Sequence, residues 1–164
     1  MRPFERIANV LLESGACPST KCSYDRSPLL HVAVSLGQTE MVKLLLRNGS
    51  HVDVMSGSQT PLHTAVEVNN AEKINVLVER GTNIEAQCSD GSSPLQWTVL
   101  NVNHEVLIAL LKHDPNVNYR DACGYTPLHS AASKTGARGT VDNVDNLLRS
   151  GANEKMVIND AYLP

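Results

Sequence analysis

The sequence predicts a mainly α-helical solenoid of repeated helix pairs. Three observations predict it: self-similarity at a fixed spacing, a hydroxyl-proline pair that opens a helix in successive units, and an apolar run ended by a residue suited to left-handed backbone. The self-similarity is direct. SPLLHVAVSLGQTEMVKLLLRNGSHVDV from Ser27 aligns with TPLHTAVEVNNAEKINVLVERGTNIEA from Thr60, SPLQWTVLNVNHEVLIALLKHDPNVNY from Ser93 and TPLHSAASKTGARGTVDNVDNLLRSGANEK from Thr126. His31, His63, Gln96 and His129 share one recurring position at spacings of 32, 33 and 33, and Gly49, Gly81, Asp114 and Gly151 close the units at spacings of 32, 33 and 37. A fixed period of this length marks a stacked architecture in which each unit buries its apolar face on a neighbour.

The elements follow in chain order. Residues 1–22 read as a partial unit: Ile7, Val10, Leu11 and Leu12 ahead of Gly15 resemble a second helix whose first helix is absent. Full units follow at 23–54, 55–87, 88–120 and 121–157. In the last three, the pairs Thr60-Pro61, Ser93-Pro94 and Thr126-Pro127 place a hydroxyl at the N-cap and proline at the first helical position, where its missing N–H costs nothing. A second apolar run, such as Val42 with Leu44, Leu45 and Leu46, or Val106 and Leu107 with Leu110 and Leu111, falls on one face of a second helix. The Gly after it supplies the left-handed terminator, and Asp114 occupies that conformation more cheaply than most residues. The linkers between units, such as 54–59 and 88–92, are turn-rich and predict short protruding hairpins. Ser27-Pro28-Leu29-Leu30-His31 carries one residue more than its counterparts, which starts that helix early or rearranges the hairpin before it. The unit from Thr126 carries four more residues around 134–140, and the two glycines there predict a longer loop between its helices. Residues 158–164 read as the start of a truncated unit, so the expectation is a piece of a longer array or a chain capped by a partner.

TPLH followed by A-A or A-V, a doubled or tripled Leu, then G-A and a hairpin resembles the ankyrin repeat, over about residues 4 to 164. The resemblance implies an ankyrin-repeat α-solenoid of antiparallel helix pairs with β-hairpin-like loops. It implies one domain over 1–164, three to four stacked repeats and partial repeats at both ends. It further implies a concave face lined by first helices and hairpins, and a convex back of second helices.

Composition narrows the function. With 14 basic against 17 acidic residues and a formal net charge of -3, no strong field draws nucleic acid or an anionic membrane surface. Aromatics are only 4%, so the core is expected to be aliphatic and layered. No run approaches the roughly 18 consecutive apolar residues of a membrane span, and polar residues break the apolar run near the start, which argues against a signal peptide. Cys17, Cys22, Cys88 and Cys123 are irregularly spaced, which fits reduced thiols in an intracellular protein, cytoplasmic or nuclear.

Catalysis needs titratable groups converging on one pocket, whereas repeats spread equivalent groups along a line. His31, His63 and His129 occupy the slot in which, by the resemblance, an imidazole hydrogen-bonds neighbouring backbone. Gln96 in the same slot fits hydrogen bonding rather than acid–base work. Cys17, Cys22 and His31 make a poor zinc set, and no phosphate-loop, dinucleotide, HExxH or nucleophile-elbow motif occurs. The expectation is no enzyme, no cofactor, no metal and no small-molecule substrate. LLKHDPNVN, Leu110 to Asn118, is also similar to the ankyrin segment whose terminal asparagine is hydroxylated by an oxygen-sensing dioxygenase; a turn asparagine is the favoured reading of Asn118.

A binding surface remains. By the resemblance, partner-contacting residues are Tyr24, Asp25, Ser56, Gln59, Ser89, Asp90 and Tyr125 in the hairpins. Leu36, Glu67, Val68, Leu100, Asn101 and Lys134 lie on first-helix edges, with Leu36, Val68 and Leu100 as an apolar strip. Trp97 reads as an interface anchor or, preferably, as an oversized packing residue. The expected function is binding of another protein. The alternative is an adaptor or regulatory segment of a larger protein, such as a ubiquitin-ligase substrate-recognition subunit or the repeat portion of a channel or kinase.

Overall fold

The computed structural model describes residues 29–101, 104–133 and 140–155. Among them lie eight helices: α1 Leu29–Ser35, α2 Thr39–Arg47, α3 Pro61–Glu67, α4 Ala71–Glu79, α5 Pro94–Leu100, α6 His104–Leu111, α7 Pro127–Ser133 and α8 Thr140–Arg149. The described residues contain no strand beyond an isolated antiparallel bridge between Ser56 and Gln59. The chain divides into two compact units, Met1–Asn83 and Ile84–Pro164.

The helix starts obey the sequence. Thr60 and Ser93 sit in extended backbone as N-caps, and their hydroxyl oxygens accept from the N–H of His63 and Gln96. Pro61 and Pro94 then open the helices at a position with no N–H to waste. The first helices are only seven residues long, too short to persist alone, so capping and packing must hold them.

The helix ends are equally explicit. After α2, Gly49 N–H reaches Leu46 O at 3.3 Å and Ser50 N–H reaches Leu45 O at 3.0 Å, the paired closure of a Schellman motif around a glycine at φ +87°. Gly81 and Gly151 repeat it after α4 and α8. Asp114 takes the same left-handed backbone, φ +56°, after α6. There the outer bond is missing because Pro115 has no N–H to donate. Asn69, at φ +59°, likewise replaces glycine in the turn between α3 and α4, where Gly37 serves between α1 and α2. Asp and Asn are the side chains that enter this region most readily.

In the first unit, α1 packs on α2 and α3 on α4, while α1 also meets α3 and α2 meets α4. Leu30, Val34, Val42, Leu45, Leu62, Ile74 and Leu77 fill the contact, each at most 2% exposed. The second unit repeats the scheme with α5 on α6, α7 on α8, α5 on α7 and α6 on α8, around Leu95, Val106, Leu107, Leu110 and Leu147. The core is aliphatic throughout, as the low aromatic content requires. Of the sequence expectations, those for the extra residue before α1, for the partial units at 1–22 and 158–164, and for most of the 134–140 loop lie outside the described residues.

One recurring core slot breaks the pattern: it holds Met41 and Val106 in two repeats but Asn143, 1% exposed, in another. In this slot Lys73 on α4 is 1% exposed. Its stem fills the slot, while Nζ donates to Thr39 Oγ1 of α2 and lies 3.5 Å from the Glu72 carboxylate. A buried ammonium tolerates this site only because those acceptors meet it.

Two substitutions test this packing. Leu45→Ala is expected to destabilise by about 2–5 kcal/mol in denaturant unfolding, as a truncation in a closed aliphatic contact. Lys73→Met is expected to leave thermal stability unchanged or raise it, whereas Lys73→Ala lowers it, because methionine refills the slot without a charge to desolvate.

Candidate functional site

The loops between repeats are built by local hydrogen bonds. Ser56 N–H donates to Gln59 O at 2.9 Å and Gln59 N–H returns to Ser56 O at 3.1 Å, making a two-residue hairpin. Gly57, φ +59°, sits at its first central position, where a type II′ turn favours glycine. Loops 88–92 and 121–125 are closed by Cys88 N–H to Ser92 O and Asp121 N–H to Tyr125 O, both 3.0 Å. The two loops touch through Ala122 N–H and Asp90 O at 3.4 Å. Gly91 sits against this contact at φ +78°, and a Cβ there would come within 2.6 Å of Ala122 N. The backbone thus approaches as closely as only glycine allows.

The recurring His slot does double work. Thr60 N–H donates to His63 Nδ1 while His63 N–H donates to Thr60 Oγ1, and Thr126 with His129 repeats the exchange. This is a capping box with imidazole in place of the usual carboxylate or amide. Gln96 reproduces it: Oε1 accepts from Ser93 N–H at 3.0 Å, and Nε2 donates onward to Tyr125 O at 2.8 Å, at the foot of the next repeat's helix. His31 makes the corresponding onward bond from Nε2 to Gln59 O at 3.1 Å, so that nitrogen carries the hydrogen. The slot therefore needs one acceptor and one donor, which both residue types supply.

A second set of ties was not legible beforehand. Asp53 accepts from Asn83 N–H and from the Thr82 hydroxyl. Glu85 accepts from Asn116 N–H at 2.6 Å, and Asn118 accepts from Asn153 N–H at 2.7 Å while donating to Gly151 O at 3.2 Å. Asp53, Glu85 and Asn118 occupy one repeat position, each holding the backbone two residues beyond the next closing turn. Asn118 is thus a structural asparagine with both ends of its amide engaged. The signal was present as a recurring Asp/Glu/Asn at spacings of 32 and 33, but three different residue types hid it.

The candidate contact residues fall in several places. Tyr24, Asp25 and Lys134 lie outside the described residues. In the first unit, Ser56, Gln59 and Glu67 come together with His31, Val32, Ser35 and Thr64 around a cleft of about 200 Å³ between α1, the 56–59 turn and α3. Leu36, 65% exposed, and Val68, 37% exposed, immediately follow Ser35 and Glu67 in the chain. In the second unit, Ser89 and Asp90 are exposed on their loop, and Asn101 is exposed beyond α5. Tyr125 is half-buried, its ring edge-on to His129 with centroids 6.2 Å apart. The supposed strip needs correction: Leu100 is half-buried and shares its repeat position with Ser35 and Glu67, whereas Leu36 and Val68 correspond to Asn101. His31, Val32 and Thr64 join the cleft from positions that read as framework.

Reactive chemistry is sparse here. Among the described residues no group of three or more His, Cys, Asp or Glu side chains converges as a metal site. Cys88 is buried and donates its thiol hydrogen to Asp90 Oδ1. Burial, helped by the Asp90 carboxylate, pushes the Cys88 thiol above its ordinary value, against a smaller opposing hydrogen bond from Trp97. The hydrogen bond from Cys88 in turn holds the Asp90 carboxyl below its usual value. Trp97 itself is half-buried. A raised thiol pKa describes a protonated, unreactive cysteine rather than a nucleophile.

A family model described as "Ankyrin repeats (3 copies)" matches residues 3–88 and 62–158. The chain belongs to the ankyrin-repeat family. Among curated relatives, this ankyrin-repeat chain is 39% identical over 139 residues to the mouse B-cell lymphoma 3 protein homolog, covering 85% of the chain and 23% of that protein. It is 36% identical over 129 residues to mouse inversin, covering 77% of the chain and 12% of inversin. It is 44% identical over 59 residues to mouse BCL-6 corepressor-like protein 1, covering 36% of the chain and 3% of that protein. The chain thus spans less than a quarter of the length of these relatives. Ankyrin repeats are protein-interaction modules, and the fold is a non-catalytic one. No helix among the described residues is long and apolar enough to cross a membrane.

The two described thiols separate experimentally. Peptide-mapped alkylation of the folded chain at neutral pH is expected to modify exposed Cys123 readily and Cys88 only on unfolding. The folded-state pKa of Cys88 lies above its unfolded value, so its contribution to stability is complete below the unfolded pKa and is lost as pH rises through the folded one. Asp90 has the opposite sign: its contribution is present above its unfolded pKa and lost as pH falls through the folded value. Equal labelling of both cysteines at neutral pH contradicts the burial of Cys88.

Proposed function

We propose that this ankyrin-repeat domain, 1–164, binds another protein through its hairpin tips and first-helix edges, with no catalytic step of its own, in the cytoplasm or nucleus. One observation carries the reading. Framework positions repeat from unit to unit and are spent on caps, closures and ties between repeats, whereas the helix-end positions carry unlike residues. Ser35, Glu67 and Leu100 occupy one such position, and Leu36, Val68 and Asn101 the next. Side chains that differ along a constant frame, with Leu36 left 65% exposed, are what a surface adapted to one partner supplies. The proposed contacts comprise Ser56, Gln59, Glu67, Val68 and Leu36 in the first unit, and Ser89, Asp90, Leu100, Asn101 and Tyr125 in the second. Tyr24, Asp25 and Lys134 complete the set from outside the described residues.

The short span of the relatives supports a second reading, in which the repeats serve as an adaptor or regulatory segment within a larger protein. Both readings place the same surface against a partner.

Selection of binders from a displayed protein library against the full chain tests the proposal. For binders so obtained, the double substitution of Leu36 and Tyr125 to Ala is expected to weaken affinity about tenfold or more while leaving helicity and melting nearly unchanged. Glu79→Ala and Arg80→Ala, on the second-helix side, are expected to leave affinity intact. The reverse pattern moves the contact area to the other side of the repeats.

A further inference from the structure

The cleft of the first unit has a chemical bias. At about 200 Å³ it is smaller than the roughly 300–1,000 Å³ of small-molecule sites, and it suits one long side chain. Two of its hydroxyls have already spent their hydrogens: Ser35 Oγ donates to Val32 O at 3.0 Å and Thr64 Oγ1 donates to Thr60 O at 3.4 Å. What they retain is lone pairs. His31 Nε2 is likewise occupied by Gln59 O.

Glu67 adds a full negative charge to this acceptor-rich wall. It is exposed, and among the described residues no Lys or Arg lines the cleft and no ion pair joins it. Nor does the helix explain it, since Glu67 is the last residue of α3, where the carbonyl end of the helix dipole disfavours an anion. The equivalent positions hold Ser35, Leu100 and Ser133, so the carboxylate belongs to this repeat alone. Leu36 and Val68, both exposed, follow Ser35 and Glu67 in the chain and offer apolar surface next to these lining residues in sequence.

We propose that this cleft receives an arginine side chain from an exposed segment of the partner protein. Its guanidinium meets the Glu67 carboxylate and the neighbouring hydroxyl oxygens, and apolar residues beside that arginine rest on Leu36 and Val68. Guanidinium is all donor, planar and permanently charged, and so complements one carboxylate beside the acceptor oxygens of Ser35 and Thr64. The inference rests on the interaction reading above and adds the chemistry of the partner's anchor.

The test titrates acetyl-Leu-Arg-Leu-amide into the isotope-labelled full chain, followed by backbone amide shifts, beside the same peptide with Gln or Glu in the centre. The arginine peptide is expected to shift the amides of Ser35, Ser56, Gln59 and Glu67 saturably, and the other two to leave them in place. Glu67→Gln is expected to weaken that binding about fivefold, the upper end for an exposed charged pair, with an unchanged melt, whereas Glu79→Gln leaves it unaltered. Equal shifts from the Gln peptide, or shifts centred away from the cleft, overturn the arginine preference while leaving the interaction reading standing. Absence of saturable shifts with any peptide also overturns the inference, and the library selection then decides the broader reading by itself.

Discussion

The hydrogen-bonded slot shared by His31, His63, Gln96 and His129 ties local folding to repeat stacking. Inside its own repeat the side chain accepts the N-cap N–H of Thr60, Ser93 or Thr126 and so starts a helix too short to start itself. Its other polar atom then needs a partner. Gln96 finds it at Tyr125 O, and His31 at Gln59 O, each just ahead of the following repeat's cap. A buried donor left unmet costs about 1–3 kcal/mol, so within each unit the second repeat is held at one register. The same imidazole that a catalytic reading would single out is consumed in this structural exchange.

The Asp53, Glu85 and Asn118 ties act at the opposite end of the repeat and reinforce that register. They hold backbone N–H groups just past the closing turns, where a helix has run out of internal partners. Between cap slot and tie lies an aliphatic contact with little directional preference of its own. Polar bonds thus define which layer faces which, and burial of leucine, valine and isoleucine supplies the stability. Lys73 shows how firmly the frame is set: an ammonium is held in the slot that Met41 and Val106 fill in other repeats, with the Thr39 hydroxyl and the Glu72 carboxylate as its acceptors.

A frame held in this way frees the helix ends and hairpins to vary. Glu67 and Leu36 contribute nothing that the described structure needs from them: one opposes its helix dipole and the other stands in solvent. Such residues fit the proposed contact surface rather than a role in folding.

Much of this was written in the linear sequence, because its physics is local. A hydroxyl before proline caps a helix, a glycine or Asp114 ends one, and the recurrence of both fixes the period; all of it acts within a few residues and survives any tertiary arrangement. The row at the helix ends was harder to read, since apolar Leu100 stands level with Ser35 and Glu67 rather than with Leu36 and Val68. The ties through Asp53, Glu85 and Asn118 escaped because a carboxylate and an amide do one job with different letters. The cleft was decided by tertiary structure alone. It joins His31 and Ser35 of one helix to Thr64 and Glu67 of another across a hairpin turn, and separations of roughly thirty residues become contacts only when packing brings those helices side by side.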